Sequence, residues 1–311
     1  MKQFFTFLTT LIIVILFFPA IINAQNNESL WFKISKGKAN QGKVVKRKSE
    51  PRNAHFYQLN LVQLKARLKN VPLRRTSNKP SSVIIKFPNA DGNLEAYRVM
   101  EAPVMAPELQ AKHPDIRSYV GQSIENPAEI IRFSVTPLGL NTMTLSSKQG
   151  TQYIDPYTKD GNNYIVYSKR DLPVIGEDFR CGVTGGIDYS NRGTYSSKLI
   201  NAGDGYMRTF RLALACTVEY SEFHWMAAGL TAGNTVQERK DAVLAAMNVT
   251  MTRVNGIYER ELSIKMEIIA NNEDIIFIDN DPFTPPANDD PTKLIDESQT
   301  QIDATIGSAN Y

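Results

Sequence analysis

Chemistry has few places to start in this sequence. Of its 311 residues, 3 are histidine and 2 are cysteine. His55, His113 and His224 lie far apart, and none pairs with another at helical spacing. HExxH, GxSxG, a Walker loop and CxxC do not occur. Each histidine read alone is an ordinary surface or core side chain. Cys181 is the exception, within Phe179-Arg180-Cys181-Gly182-Val183-Thr184. Gly182 has no side chain to hold the backbone off a neighbouring surface. Arg180 places a positive charge beside the thiol and favours the thiolate. A thiolate is a strong zinc ligand, so a loop carrying Cys181 could occupy the coordination position that a catalytic water needs. The competing reading is a disulfide to Cys216. Cys216 alternates with Leu212, Leu214 and Val218, which predicts a strand face and a buried, reduced thiol acting as a small hydrophobe.

The elements that must position Cys181 fall on either side of it. From Ser29 to Arg170 the pattern is mainly β. Val83, Ile85 and Phe87 alternate, Asn89-Ala90-Asp91-Gly92 turns the chain, and Glu95, Tyr97 and Val99 alternate again, which is a hairpin signal. Ile131, Phe133 and Val135 share a strand face, and Asn141 to Ser146 returns after Pro137-Leu138-Gly139. Gly150 to Asp155 and Asn163 to Ser168 form another pair around Asp160-Gly161. One short helix, capped by Asn60 and lined by Leu61, Leu64 and Leu68, ends at Pro72. Between Asp171 and Tyr206 glycines crowd an irregular, exposed connector that contains Cys181.

After Tyr206 the pattern becomes α/β. A strand is expected from Arg211 to Val218. Thr235 and Glu238 form a capping box for a long helix. Val243, Met247, Met251, Val254 and Tyr258 follow at helical spacing and are expected to face a sheet. Leu262, Ile264, Met266 and Ile268 alternate as a second strand. Strand, helix, strand makes a βαβ unit with parallel strands and a right-handed crossover. Ile295, Ile302 and Ile306 mark one face of a last helix that Gly307 can end. Two strands and two helices cannot cover both faces of a parallel sheet, so this half reads as incomplete. The expected fold class is α+β overall: an antiparallel β-rich domain, then an incomplete α/β domain that starts βαβ.

Compartment and charge narrow the function. Met1-Lys2, the apolar run Phe4 to Ile22 and the polar break after Ala24 form a signal peptide over residues 1–24. A retained membrane anchor is the alternative. No later stretch is apolar enough to cross a membrane. The expected divisions are therefore 1–24, a β-rich domain over 25–170, a linker over 171–206, and an α/β domain over 207–311. Lys and Arg crowd Trp31 to Pro80, where Glu50 is the only acid; Asp and Glu crowd Glu273 to Asp303, where Lys293 is the only base. Each run alone reads as a solvated face, and together they suggest complementary surfaces. The basic run carries no nucleic-acid motif, and with a net charge of +3 nucleic acid is not an expected partner.

Three segments carry a resemblance. Cys181-Gly182-Val183-Thr184 resembles the cysteine-switch segment of the reprolysin-type metalloproteases, the adamalysin and snake-venom group of metzincins. Val254-Asn255-Gly256-Ile257-Tyr258-Glu259-Arg260 is similar to the first long helix of their catalytic domain, and Arg211 to Val218, followed by Glu219, Ser221 and Phe223, to its opening strand. Tyr153-Ile154-Asp155-Pro156 fits their β-rich propeptide. The resemblance implies a secreted zinc endopeptidase acting on proteins or peptides through a metal-activated water. Residues 25–170 would be its propeptide, and Cys181 an inhibitory zinc ligand. It implies activation by cleavage before Arg211, with Arg192-Gly193 and Lys198-Leu199 as exposed candidate sites. By the same analogy Glu219 could bind a structural calcium, against the plainer reading of a surface carboxylate or helix cap. Two departures stand out. Asp178-Phe179-Arg180 replaces the family's proline, lysine and methionine before the cysteine, and HExxHxxGxxH is missing. The zinc ligands are therefore expected beyond Tyr311, no catalytic residue is assigned in this chain, and the chain alone is expected not to hydrolyse peptides. The reading from another class is a secreted adhesion or inhibitory module that binds through the β domain.

Overall fold

Alternating apolar residues in the first half of the chain build one antiparallel sheet. The computed structural model describes residues 29–47, 49–77, 79–173, 205–280, 282–284 and 290–311. Its strands are β1 (Trp31–Ile34), β2 (His55–Leu59), β3 (Ile84–Pro88), β4 (Leu94–Glu101), β5 (Arg117–Ser123), β6 (Ile130–Thr136), β7 (Gly139–Ser146), β8 (Gly150–Pro156) and β9 (Asn163–Ser168). They pair in the order β1-β2-β9-β8-β7-β6-β5-β4-β3. The two outer strands approach each other: Trp31 Nε1 on β1 donates to the Lys86 carbonyl on β3 across 2.9 Å. The sheet is thereby nearly closed, which shields edges that would otherwise invite pairing. Trp31 sits edge-on to Tyr57 and Tyr164, with centroids 6.1 and 5.7 Å away, inside a core shared with Phe87, Tyr97 and Phe133. The expected hairpins β3–β4, β6–β7 and β8–β9 all form.

Short helices decorate the sheet: α1 (Lys36–Ala39), α2 (Leu61–Leu68) and α3 (Pro107–Lys112). Asn60 caps α2, its Oδ1 accepting from Gln63 N at 3.0 Å, and Leu64 and Leu68 are buried as expected.

The second half holds β10 (Arg208–Leu212), α4 (Val218–Ala227), α5 (Val236–Leu262), β11 (Ile264–Ile268) and α6 (Pro291–Ile306). β10 and β11 pair in parallel, as the βαβ pattern requires. Thr235 and Glu238 close a reciprocal capping box at the start of α5, and Gly307 with φ 80° follows α6. Among the described residues no helix is long and apolar enough to cross a membrane.

Three local expectations are corrected. The strand expected to run to Val218 stops at Leu212, and α4 begins at Val218. Thr217 accepts from Tyr220 N and caps that helix, so the apparent alternation through Cys216 and Val218 is an extended lead-in, with one bridge between Cys216 and Ile276. Leu262 closes α5 rather than opening β11, because Ser263 adopts a left-handed conformation (φ 54°) that ends the helix. Tyr258 and Ile295 are exposed rather than packed.

The βαβ unit does not close its core alone. Val104, Met105, Leu109 and Ile116, from the stretch between β4 and β5, are buried together with Trp225, Val243, Met247 and Ile268. Met105 pairs in parallel with Ile268, so residues 104–106 add a short third strand to β11. Ile268 N donates to the Val104 carbonyl, and Ala106 N to the Ile268 carbonyl, both at 2.8 Å. The long helix meanwhile lies across the outer face of β6. Six consecutive β6 residues, Ile131 to Thr136, are buried: Ile131, Phe133 and Val135 line the inner core, and the alternate residues lie on the opposite face.

Candidate functional site

The residues with the most unusual environments lie where α5 meets the sheet. Near the carboxyl end of α5, Gly256 removes the obstacle to close approach. A Cβ there would stand 2.8 Å from Arg132 Cγ and 2.9 Å from Met143 Cε. Arg132 on β6 is 2% exposed, and burying an arginine requires a paired charge. Glu259, one turn beyond Gly256, provides it and also accepts from Arg74 Nη1 at 2.6 Å. The carboxylate of Glu259 thus meets two guanidinium groups, Arg132 on β6 and Arg74 in the turn between α2 and β3.

A second pair has the opposite polarity. Arg253 Nη2 donates to Asp155 Oδ1 at 2.5 Å and to the Thr142 carbonyl at 2.9 Å. Its guanidinium also lies 5.0 Å from the centroid of the Tyr153 ring. Burial alone would raise the Asp155 carboxyl. The Arg253 and Arg47 charges and the Asn141 amide outweigh it and hold the group below its ordinary value. On the neighbouring strand β5, Ser118 Oγ lies 3.1 Å from Asn248 Oδ1 and 2.8 Å from Thr252 Oγ1. Asn248 Nδ2 is buried without a hydrogen bond. Turning the amide over would let Nδ2 donate to Ser118, which would then donate to Thr252.

Asn255 faces the other way, into its own unit. Its Nδ2 donates to the Met266 carbonyl at 2.7 Å, and its Oδ1 accepts from Met266 N at 2.9 Å. Asn255 and residues 104–106 thus satisfy the outer edge of β11 at Met266 and Ile268. The paired Asn255-Gly256 therefore has two jobs: the amide pins β11, and the glycine admits the sheet.

Residues of both halves also meet at His113, directly after α3. The imidazole is 7% exposed, with Nε2 3.2 Å from Glu273 Oε1 and Nδ1 3.7 Å from Asp241 Oδ1. Gln237 Nε2 donates to both carboxylates, to Asp241 Oδ1 at 2.8 Å and to Glu273 Oε1 at 2.7 Å. Burial works to raise the Glu273 carboxyl, but Gln237, His113 and Lys112 together hold it below the ordinary value. His113 read alone gave no hint of this, because its partners come from distant parts of the chain.

The residues singled out in the sequence are placed differently. Cys181 and the rest of its switch-like segment lie outside the described residues, and so does any disulfide between it and Cys216. Cys216 itself is buried, with Sγ 3.2 Å from Ser221 Oγ. Glu219 is exposed in the first turn of α4, where a carboxylate complements the helix dipole. It borders a mostly apolar cavity of about 510 Å³, lined also by Cys216, Met247, Met251 and Phe283. Among the described residues it joins no cluster of three metal-ligating side chains. His55 stands on β2, and His224 on α4 against the Tyr220 ring at 4.3 Å. Arg74, from the basic run, pairs with Glu259, which lies outside the acidic run.

Residues 207–311 match the model of the Metallo-peptidase family M12B, Reprolysin-like, a zinc-dependent group. The match spans the βαβ unit and α6 and none of the nine-stranded sheet. No curated protein and no solved structure matches the chain. The catalytic zinc that the family implies does not fit the described residues. HExxHxxGxxH is missing from the sequence, and the histidines stand on or beside β2, α3 and α4.

Proposed function

We propose that this chain, reprolysin-like over residues 207–311, comes from a secreted zinc-dependent metalloendopeptidase made in a latent form. The nine-stranded sheet is its propeptide, and the βαβ unit belongs to the peptidase. The observation that carries this reading is the family match, which opens where the βαβ unit opens. Cys181-Gly182-Val183-Thr184 falls between the two parts, and the apolar run Phe4 to Ile22 supports export.

Latency in this reading has two layers. Cys181 would supply a thiolate to hold the zinc in its inactive state. The sheet supplies a grip on α5 through Arg132–Glu259 and Arg253–Asp155, which seats the propeptide so that the Cys181 loop is presented to the metal until the backbone is cut. The substrates are proteins or peptides. No chemical step is assigned to residues of this chain, because none of the described side chains forms the implied centre.

The test uses the natural gene product. Its zinc content and its hydrolysis of an unstructured protein would be measured before and after cleavage between residues 174 and 204. The Cys181→Ala variant would be measured beside it. The expected result is a latent uncut protein, chelator-sensitive activity after cleavage, and activity in Cys181→Ala without cleavage. Protein that never shows chelator-sensitive hydrolysis would overturn the peptidase reading. Unchanged latency in Cys181→Ala would remove the switch and leave the rest standing.

A further inference from the structure

We propose that His113, Asp241 and Glu273 form a divalent-cation site that ties the nine-stranded sheet to the βαβ unit. Each offers one ligand atom, and these atoms all lie within 4.8 Å of one another. The three come from separate places: His113 follows α3 on the sheet side, Asp241 lies in the second turn of α5, and Glu273 lies after β11. A cation held among them would be a cross-link between the two halves of the fold, not a reaction centre.

The state of the imidazole points to a ligand. His113 is more than nine-tenths buried, and its Nε2 is sealed from solvent with no hydrogen bond. Glu273 Oε1 is only 3.2 Å from that nitrogen, yet the pair lacks hydrogen-bond alignment. Two neighbouring ligands on one tetrahedral ion have this relation. Metal bonds of about 2.0–2.1 Å put adjacent ligand atoms about 3.3 Å apart, with both lone pairs directed at the ion and not at each other.

The surroundings set the chemistry. One imidazole and two carboxylates suit a borderline divalent ion such as zinc. Gln237 can add a fourth oxygen: its Nε2 lies 2.8 and 2.7 Å from the two carboxylates, and turning the amide over presents Oε1 instead. The opposing charges are Lys112 and Lys240. Lys112 Nζ lies 3.6 Å from Oε2 of Glu273, the other carboxylate oxygen, and its side chain is 61% exposed and free to withdraw. Lys240 Nζ is engaged by the Glu273 backbone carbonyl at 2.6 Å. Both lower the affinity without blocking Oε1. Asp241, at 45% side-chain exposure, has room to close on an ion.

Zinc chloride is the probe, added to the full chain after chelator treatment. A Cys181→Ala background removes the competing thiolate. Calorimetry counts bound zinc, and thermal unfolding is followed with and without it. One equivalent is expected to bind and to raise the melting temperature. Asp241→Asn and Glu273→Gln are each expected to weaken binding at least tenfold, and His113→Ala to abolish it. The two isosteric variants keep the test decisive if His113→Ala fails to fold. Absence of binding in the Cys181→Ala parent overturns the proposal, as does unchanged stoichiometry and affinity in both isosteric variants.

Discussion

Gly256 on α5 lies against Arg132 on β6 so closely that a single added methyl would meet the arginine side chain at 2.8 Å. Arg132 cannot easily yield, because its guanidinium is buried against Glu259. Gly256→Ala therefore sets two effects against each other. Alanine in a helix interior is favoured over glycine by about 1 kcal/mol. Overpacking a tight contact costs about 1–3 kcal/mol. The expected outcome is net destabilisation of up to about 2 kcal/mol in urea unfolding. A stabilised variant would mean that the sheet does not hold α5 this tightly.

The Glu259 carboxylate faces Arg132 and Arg74 together. Removing it strands a buried arginine, so Glu259→Ala is expected to cost about 3–5 kcal/mol. Replacing both members by apolar residues, Arg132→Met with Glu259→Leu, is expected to recover much of that loss, because the desolvation penalty disappears with the charges. Arg74, at 44% side-chain exposure, can return to water. A double variant as unstable as Glu259→Ala alone would show that packing around Gly256, and not charge, dominates the contact.

What was legible in the sequence was local. Thr235 and Glu238 announce the start of α5 three residues apart, and the alternation around Asn89-Ala90-Asp91-Gly92 and Asp160-Gly161 announces hairpins, because both signals are carried by neighbours in the chain. The helix α4 was missed because its apolar residues surround it and leave no stripe, while Thr217 and Val218 extend an apparent alternation from Leu212. Thr217 ahead of Glu219 was the available cap signal. The docking surface was not legible at all. Nothing near Arg253 in the sequence predicts Asp155, and nothing around Met105 predicts its bridge to Ile268 on β11. The incomplete look of the βαβ unit finds an answer inside this chain: Val104, Met105 and Leu109 from the sheet side enter its core.

Acid should separate the two halves of the fold late rather than early. The Asp155 carboxyl is held below its ordinary value of 3.8 by the neighbouring arginines, and Glu273 below 4.5 by Gln237, His113 and Lys112. A depressed carboxyl stabilises the fold above its unfolded value, and that contribution is lost as pH falls through the lower folded value. Contact across α5 is thus expected to persist to about pH 4 and to fail in stronger acid. Trp31 lies in the sheet core and Trp225 in the core of the βαβ unit, so their fluorescence reports the halves separately in Trp225→Phe and Trp31→Phe backgrounds. Arg253→Met should move the acid midpoint upward, because burial then raises the Asp155 carboxyl with its nearest opposing charge gone. A midpoint that does not respond would place the acid-sensitive group elsewhere.

Asn255 explains why an amide stands beside the glycine. It serves both backbone groups of Met266, at 2.7 and 2.9 Å, on the side of β11 away from β10. Asn255→Ala would leave a donor and an acceptor unmatched in a packed setting, where each costs about 1–3 kcal/mol. Asn255→Asp is expected to be no better, since a carboxylate still accepts from Met266 N but repels its carbonyl oxygen. The amide proton of Met266 is the direct readout. Its exchange with deuterium should quicken by at least about tenfold in either variant, because 1.4 kcal/mol corresponds to that factor. Amides of β6 and β7 in the sheet core should exchange as before. Unchanged protection at Met266 would mean that residues 104–106 alone hold that edge, and that Asn255 serves some purpose other than pinning the strand.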